Sequence, residues 1–484
     1  VEEQFRHYFG ISVPQTFIPH HLAHAYSSFF SSGFEESAVI VADASGSNLH
    51  HLNKLPNWYP NVTKEGLNPE EDWSEGISIY HLTRNTNKEV YKKWIKYPVP
   101  LETDDDVSVG TLYSEGSLQL IYEPNSHTWP AGKLMGLASY ANQDIVNEAP
   151  YYIVEKDDDI FIPNRRIYPK VTYNSDFYSK ACVAGIYQRE QERVSIMLAK
   201  KAKELTGSNN VCVAGGSFLN CNSNEKILNS GLFENSYFVP PADDSGIPLG
   251  CAWFAYQELL DIQETEMFSP YIGKPYSRLE VIEAINRYWV SHDKHKILDF
   301  KEYNNMEELN NDVSNLLAEN RVIGWFQGGS EIGPRALGNR SILASPINSW
   351  MTGHINADIK KREWYRPFAP AVLFEHQKDI FESDVYSPYM MVTTSVKENW
   401  RNRIPAVTHI DYSARHQSVT ESSNKKFYDL INSFYNKTGV PVLLNTSFNG
   451  PKEPIVESPY DAIRTFLETG LDHVVINNFM ISKN

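Results

Sequence analysis

The chain has 484 residues, 41% hydrophobic and 13% aromatic, enough for two or three domains with a sizeable core. A formal net charge of −16 argues against a broad, nonspecific grip on a nucleic-acid backbone and points to small guests. Cys182, Cys212, Cys221 and Cys251 show no Cys-x-x-Cys spacing and are too few for a disulfide framework, and no run of about 18 apolar residues exists to span a membrane, so a soluble cytoplasmic enzyme is expected.

Residues 19–30 read as a helix ending near Gly33, with His20 and His24 on one face. An i, i+4 pair can present two imidazoles to one metal ion, although two ordinary helical histidines share that spacing. Residues 37–43 read as a buried strand that leaves Asp43 at its end as a third ligand. Residues 50–73 lack periodicity and are expected to form a long loop carrying Trp58 and Trp73, either a substrate wall or a tolerated insertion. A strand comes next near 77–80, and Asp104, Asp105 and Asp106 read as a solvated turn. Glycine-punctuated elements at 110–113 and 132–139 flank a helix, with Lys133 placed to meet a carboxylate or a phosphate. A long helix from Phe177 through Leu205 stops at Gly207 and feeds a strand at 211–214. Gly215 and Gly216 then offer exposed backbone N–H groups to a phosphate or nucleotide. After a strand at 237–239, Asp244 completes a set of two histidines and two carboxylates, unless it only caps its own turn. Residues 251–260 read as helix.

The rise in Pro, Gly and Tyr over 264–277 places the domain connection there and divides the chain into 1–265 and 266–484. A helix with apolar Leu309, Val313, Leu316 and Leu317 precedes a strand at 322–326. That strand delivers a loop holding Gly328, Gly329, Gly333 and Gly338 with Arg335 and Arg340; Lys360, Arg362 and Arg366 come after it. Glycines allow close backbone approach and the cations bind oxyanions through charge-assisted hydrogen bonds, so phosphate is the natural guest. A merely solvated loop would not hold so many glycines, prolines and aromatics. Segments 409–417 and 441–449 repeat the pattern of strand ends with polar tips, and Ser458 with Pro459 opens a helix that Gly470 ends.

Taken together, His20-x-x-x-His24-Ala25, Gly132-Lys-Leu-Met-Gly-Leu-Ala138, Gly333-Pro-Arg-Ala-Leu-Gly-Asn-Arg-Ser341, Arg362-Glu-x-x-Arg-Pro-Phe-Ala-Pro370 and Asn445-Thr-Ser-Phe-Asn449 resemble the NodU/CmcH family of O-carbamoyltransferases. The resemblance runs from about His20 to the C-terminus. It implies an α/β chain with an N-terminal ASKHA (actin-like ATPase) type domain, akin to that of the tRNA threonylcarbamoyl transferases, and a C-terminal YrdC-like domain. The YrdC-like half would make carbamoyl-adenylate from carbamoyl phosphate and ATP, and the ASKHA half would pass the carbamoyl group to a hydroxyl of a small acceptor. By the same resemblance His20, His24, Asp43 and Asp244 bind a divalent metal, commonly Fe2+, with Mn2+ or Zn2+ as alternatives. Arg335, Arg340, Lys360, Arg366, Arg415, Ser447 and, more weakly, Asn445 contact carbamoyl phosphate and nucleotide, with Arg335, Lys360 and Arg366 taken as catalytic. Family members start with a further strand-rich segment bearing a histidine near the active site, ahead of the point where this chain begins. The expected ASKHA domain therefore lacks its first strands.

Two other readings stand beside it. A tRNA threonylcarbamoyl-adenosine enzyme shares both domain types, but tRNA contact would want a basic surface. A catalytically inactive nucleotide-binding homologue would bind ATP without releasing phosphate or pyrophosphate. The acceptor is open among a sugar, an antibiotic scaffold and a nucleotide, and a homodimer is compatible with either domain type.

Overall fold

The computed structural model describes residues 2–55, 58, 67, 71–96, 106–121, 129–156, 159–164, 168–260, 268–291 and 298–483. The chain divides into two compact units. One comprises residues 1–131, 144–176 and 186–268, and the other 132–143, 177–185 and 269–484. Two short segments of the N-terminal half, including the one with Lys133, thus belong with the C-terminal unit.

The strands of the first unit are β1 (Glu36–Ala42), β2 (Trp73–Thr83), β3 (Asn87–Lys96), β4 (Val154–Lys156), β5 (Asp159–Phe161), β6 (Asn210–Ala214) and β7 (Asn235–Phe238). Its main sheet has the order β3-β2-β1-β6-β7, with β1, β2 and β3 successively antiparallel and β1, β6 and β7 mutually parallel. The near-continuous apolar run of β1 is buried on both faces, as expected of a central strand beside a parallel neighbour. Helix His20–Ser32 covers one face with Leu22, Ala25, Tyr26, Phe29 and Phe30 against Val39, Val41 and Cys212, and stops at left-handed Gly33. Because β1, β6 and β7 run parallel, the segments leaving their C-terminal ends emerge at one end of the sheet. That end is where ligands of open α/β sheets usually bind, and it receives Asp43, Gly215 and Asp244.

The strands of the second unit are β8 (Leu298–Glu302), β9 (Ile323–Phe326), β10 (Arg340–Ala344), β11 (Ala369–Leu373), β12 (Thr394–Ser395), β13 (Ser413–Ala414), β14 (Gln417–Val419), β15 (Val442–Ser447), β16 (His473–Ile476) and β17 (Phe479–Lys483). Its mixed sheet runs β14-β11-β15-β10-β9-β16-β17-β8. Antiparallel pairing of β9 with β10, β10 with β15 and β15 with β11 brings the end of β9, the start of β10, the end of β15 and the start of β11 to one edge. The cation-bearing loops 327–339 and 360–368 and the tip 447–449 all leave the sheet there. Helices Met306–Ala318 and Lys425–Thr438 bury Leu309, Val313 and Leu317 with Phe427, Leu430, Ile431 and Phe434 in the core beneath it.

Several local expectations change. Residues 50–73 are not one loop: Leu49–Lys54 is a helix capped by Asn48, whose side chain accepts from His51 N, and Trp73 opens β2 opposite Lys96. Trp58 bridges to Phe17, while 56–57, 59–66 and 68–70 lie outside the described residues. The elements at 110–113 and 132–138 are themselves helical, within Val109–Leu120 and Ala131–Ala138, and Ser139 opens the turn that follows. Asp106 is no free turn residue, since its carboxylate pairs with buried Lys93; Asp104 and Asp105 lie outside the described residues.

Candidate metal and anion sites

In the first unit the four expected donors meet. His24 Nε2 lies 3.2 Å from Asp43 Oδ2 and 3.7 Å from Asp244 Oδ1. His20 Nε2 lies 3.4 Å and 3.3 Å from the same two oxygens, and the two imidazole nitrogens are 3.1 Å apart. His24 and Asp43 are buried, His20 is half-buried and Asp244 is exposed.

The helix supplies both imidazoles because positions 20 and 24 are one turn apart, and the chain reversal after β1 supplies Asp43. Ala44 O accepts from Ser108 Oγ at 2.7 Å and Thr111 Oγ1 at 2.8 Å, which anchors the residue after Asp43 to the start of the next helix. Gly215 sits at φ +94°, and a Cβ there would lie 2.2 Å from Ala42 O; a Cβ on Gly216 would lie 3.2 Å from Asp43 Oδ1. The glycine pair therefore lets β6 pass close behind Asp43.

Burial alone would lower the His20 imidazole, yet the Asp244 and Asp43 carboxylates hold it up at about 10, and His24 is raised by the same partners. Burial works against ionised Asp43, but both imidazoles keep it well below the usual carboxylate range. Asp244 is held low chiefly by its bonds to His20 and His24. Two carboxylates here call for positive charge, which two protons or one divalent cation can supply. A cation bonded at about 2.1 Å to each donor would set neighbouring donors about 3.0–3.4 Å apart in octahedral or tetrahedral arrangements. Four of the five spacings, 3.1–3.4 Å, fall in that range and the His24–Asp244 spacing of 3.7 Å lies just beyond it, and imidazole with carboxylate suits iron, manganese or zinc. Among the described residues this group of four is the one that could hold a metal ion.

In the second unit the cations divide into kinds. Arg340 is buried over the Phe326 ring at 3.5 Å, and its Nη1 donates to the carbonyls of Gln327, Gly328 and Asn339 at 2.8–3.2 Å. It braces its own loop. Arg335 sits in that loop between anchors: Glu331 Oε1 accepts from Leu337 N, Asn339 N and Arg340 N at 2.7–3.2 Å, while Asn445 Nδ2 donates to Ala336 O at 3.1 Å. Lys360 comes directly after the wide helical turn Ile355–Ile359, and its Nζ donates to Asn449 Oδ1 at 2.6 Å, Asn449 O at 3.1 Å and Ser447 Oγ at 3.3 Å. Burial, with Arg362 and Arg366 nearby, pushes this amine well below its ordinary range. Lys360 and Ser447 are thus in direct contact.

Arg362 belongs with the anion-binding cations by composition, and the structure brings the expected Arg415 into the same field. Burial first, then Arg366 and Arg415, hold Arg362 down at about 9. Lys133 Nζ donates to Glu363 Oε1 at 2.6 Å, so the expected carboxylate partner of Lys133 is Glu363. Residues that sequence reasoning missed are the supports: Glu331, Asn449 and Gln417, whose Nε2 donates to Leu337 O at 2.8 Å, and in the first unit Ser47 and Glu75. Asn449 ends the Asn445–Asn449 motif and Gln417 the segment 409–417, yet the sequence assigns neither a role, and the signal shared by all five is a hydrogen-bond partner outside the immediate stretch of chain, which appears only on folding.

The two units are mixed α/β structures, one ending in a four-donor cation site and the other in a cation-lined sheet edge. Residues 10–253 match the family model described as Carbamoyltransferase N-terminus, and 314–483 the one described as Carbamoyltransferase C-terminus. The chain belongs to the carbamoyltransferase family. It is 34% identical to the nodulation protein NolNO of Sinorhizobium fredii over 97% of this chain and 64% of that protein, so it spans less than two thirds of that relative. It is 33% identical to NolO of Bradyrhizobium diazoefficiens over 96% of this chain and 78% of that protein. The 3'-hydroxymethylcephem-O-carbamoyltransferase of Amycolatopsis lactamdurans is 30% identical over 72% of this chain and 64% of its own length. A crystal structure of full-length HypF in the phosphate- and nucleotide-bound form covers 55% of this chain and 46% of that one at 17% identity and a TM-score of 0.34, too slight a likeness to assign a fold to either unit.

Proposed function

We propose that the protein is an ATP-dependent O-carbamoyltransferase whose C-terminal unit converts carbamoyl phosphate, ATP and water to carbamoyl-adenylate, releasing phosphate from the carbamoyl group and pyrophosphate from ATP, and whose N-terminal unit passes the carbamoyl group to an acceptor hydroxyl. The observation that carries the reading is the electrostatics of the sheet edge. Burial first, and then Arg366 and Arg415, oppose the charge on Arg362, and burial followed by Arg362 and Arg366 opposes the charge on Lys360, so several cations crowd this edge. An anion with several oxygens relieves that repulsion, and planar guanidiniums match phosphate in two-pronged contacts. Arg335, Arg366 and Arg415 are assigned to the phosphate groups. Lys360 and Ser447 form one contact unit beside them, and Arg340 and Asn445 hold the loop that presents Arg335. Positive charge already in place where phosphate charge develops stabilises that transition state without reorganisation.

In the first unit His20, His24, Asp43 and Asp244 would hold a divalent cation, with Fe2+, Mn2+ and Zn2+ all compatible. When bound, the ion polarises a phosphate or carbamoyl oxygen and so raises the electrophilicity of the carbonyl carbon. The acceptor hydroxyl oxygen bonds to that carbon as the carbon's bond to the adenylate oxygen breaks, so AMP departs and the hydroxyl proton passes to water. The order β3-β2-β1-β6-β7, with a three-strand meander and two parallel additions, supports an ASKHA-type half by fold-level analogy. The mixed eight-strand sheet of the second unit is compatible with a YrdC-like domain. Gly215 and Gly216 bring the chain after β6 up to Asp43, and with Gly215 N donating to Ala242 O at 2.7 Å, Gly216 N is the backbone donor of the pair assigned to nucleotide.

The relatives named for acceptors point to a hydroxyl on a small molecule. Incubating the protein with carbamoyl phosphate, ATP and candidate hydroxyl compounds should add about 43 Da to the true acceptor, read by mass spectrometry. Nucleotide binding with neither pyrophosphate release nor any mass gain would defeat the proposal.

A further inference from the structure

Helix His20–Ser32 presents both imidazoles from its first two turns, yet its own flank leaves its leading backbone donors without a cap. Pro19 precedes it with no side-chain cap. The first N–H groups of a helix have no partner inside it, and leaving them unmet in a buried setting is costly. Here two are met from elsewhere in the chain. His20 N donates to Ser47 Oγ at 2.8 Å and His21 N to Glu75 Oε2 at 3.2 Å. The same Glu75 oxygen accepts from Ser47 N at 3.0 Å, and the two backbones are joined by Glu75 N to Ser47 O at 3.2 Å and Gly46 N to Glu75 O at 2.7 Å. One carboxylate oxygen thus ties the start of the helix to the turn after Asp43. The other, Oε1, accepts from Lys92 Nζ at 2.6 Å, and both side chains are buried. A carboxylate there also complements the positive end of the helix.

We propose that Glu75 is the positioning residue of the four-donor site: by capping the helix from β2 and gripping Ser47, it sets the spacing between the His20 and His24 imidazoles and the Asp43 carboxylate. The inference rests on reading that cluster as a metal site. Glu75 supplies no donor to the ion. Its action runs through Ser47 and the first helical turn, and loss of such an outer partner typically weakens metal binding about 10- to 100-fold.

The test is titration of Co2+ into metal-free protein, read by calorimetry and by visible absorption, which reports ligand geometry. Wild type should take up Co2+, and His24→Ala should fail to. Ser47→Ala and Glu75→Gln should bind about 10- to 100-fold more weakly, with altered absorption bands. Ser28→Ala is the structural control: Ser28 lies on the same helix, and its Oγ donates to Val213 O at 3.0 Å. It should lower the melting temperature and leave Co2+ affinity unchanged. Glu75→Gln leaves Lys92 with Glu89 as its remaining ion-pair partner at 2.9 Å; should that variant not fold, Ser47→Ala decides alone. Wild-type affinity and spectrum in the folded variants would overturn the positioning role while the metal site stood. No Co2+ uptake by wild type would overturn the metal site itself.

Discussion

Arg366 shows how residue type and placement combine. It lies 3.7 Å from Glu363, remains partly exposed, and adds to the field that lowers Arg362. Lysine at 366 would keep the charge and lose the two-pronged contact. Removing one charge-assisted bond to developing phosphate charge costs on the order of 3 kcal/mol, about a hundredfold in rate. Arg366→Ala should therefore release pyrophosphate about a hundredfold more slowly in the carbamoyl phosphate-dependent reaction, Arg366→Lys should also be slowed, and metal content should stay at the wild-type level. Wild-type rates in folded Arg366→Ala would remove the arginine from the site. At this scale the sequence is readable for donors and cations, since His20 and His24 announce themselves by spacing and the arginines by company. Glu75 and Glu331 are not readable, because a lone glutamate in a strand or loop is indistinguishable from a solvated one until its partners are known.

Among elements, the packing of helix Ile247–Phe254 on helix His20–Ser32 depends on Gly250. A Cβ at that position would lie 1.8 Å from Ala23 O, so the helices would have to separate beside His24. Gly250→Ala should lower stability by about 1–3 kcal/mol or more, as overpacking does, visible as a lower denaturant midpoint for the first unit. Gly353, in helix Trp350–His354, has nothing within 4 Å of the same added atom, and Gly353→Ala should be neutral or stabilising by up to about 1 kcal/mol. Equal effects of the two substitutions would count against this account. The capped elements match expectation: Ser458 and Asp461 form the capping box of Pro459–Glu468, and Gly33 ends its helix. Expectation fails where pairing partners are distant. Trp73 belongs to a strand because β3 lies beside it, and no local pattern in an Asn- and Pro-rich stretch reports that neighbour.

For the whole molecule, acid should act on the second unit before its carboxylates protonate. Burial pushes His416, stacked on Phe381 at 5.2 Å, down to about 4. The unfolded chain, with an ordinary histidine near 6.5, binds the extra proton between those values, so stability falls as pH drops from about 6.5 to about 4. The loss amounts to roughly 3 kcal/mol for this group. Denaturant midpoints at about pH 7 and about pH 4.5 should differ less in His416→Phe than in wild type; the same difference in both would refute it.

Read along the chain alone, the residues already specify an inventory: amphipathic helices with their caps, buried apolar strands, the His20 and His24 pair, two strand-end aspartates, and arginines set among glycines. These are local properties, expressed within a few residues along the chain. Which of them meet is settled by strand order and packing. Parallel β1, β6 and β7 carry residues 43, 215 and 244, distant from one another in the chain, to one end of a sheet, and antiparallel β9, β10, β15 and β11 gather the cation loops at one edge. Strand order also buries Glu75 against the start of the helix that carries His20 and His24 and turns Arg340 inward onto Phe326. Such pairings are set by the burial of whole faces and the satisfaction of backbone donors at helix and strand ends, and both are fixed only when the chain closes on itself.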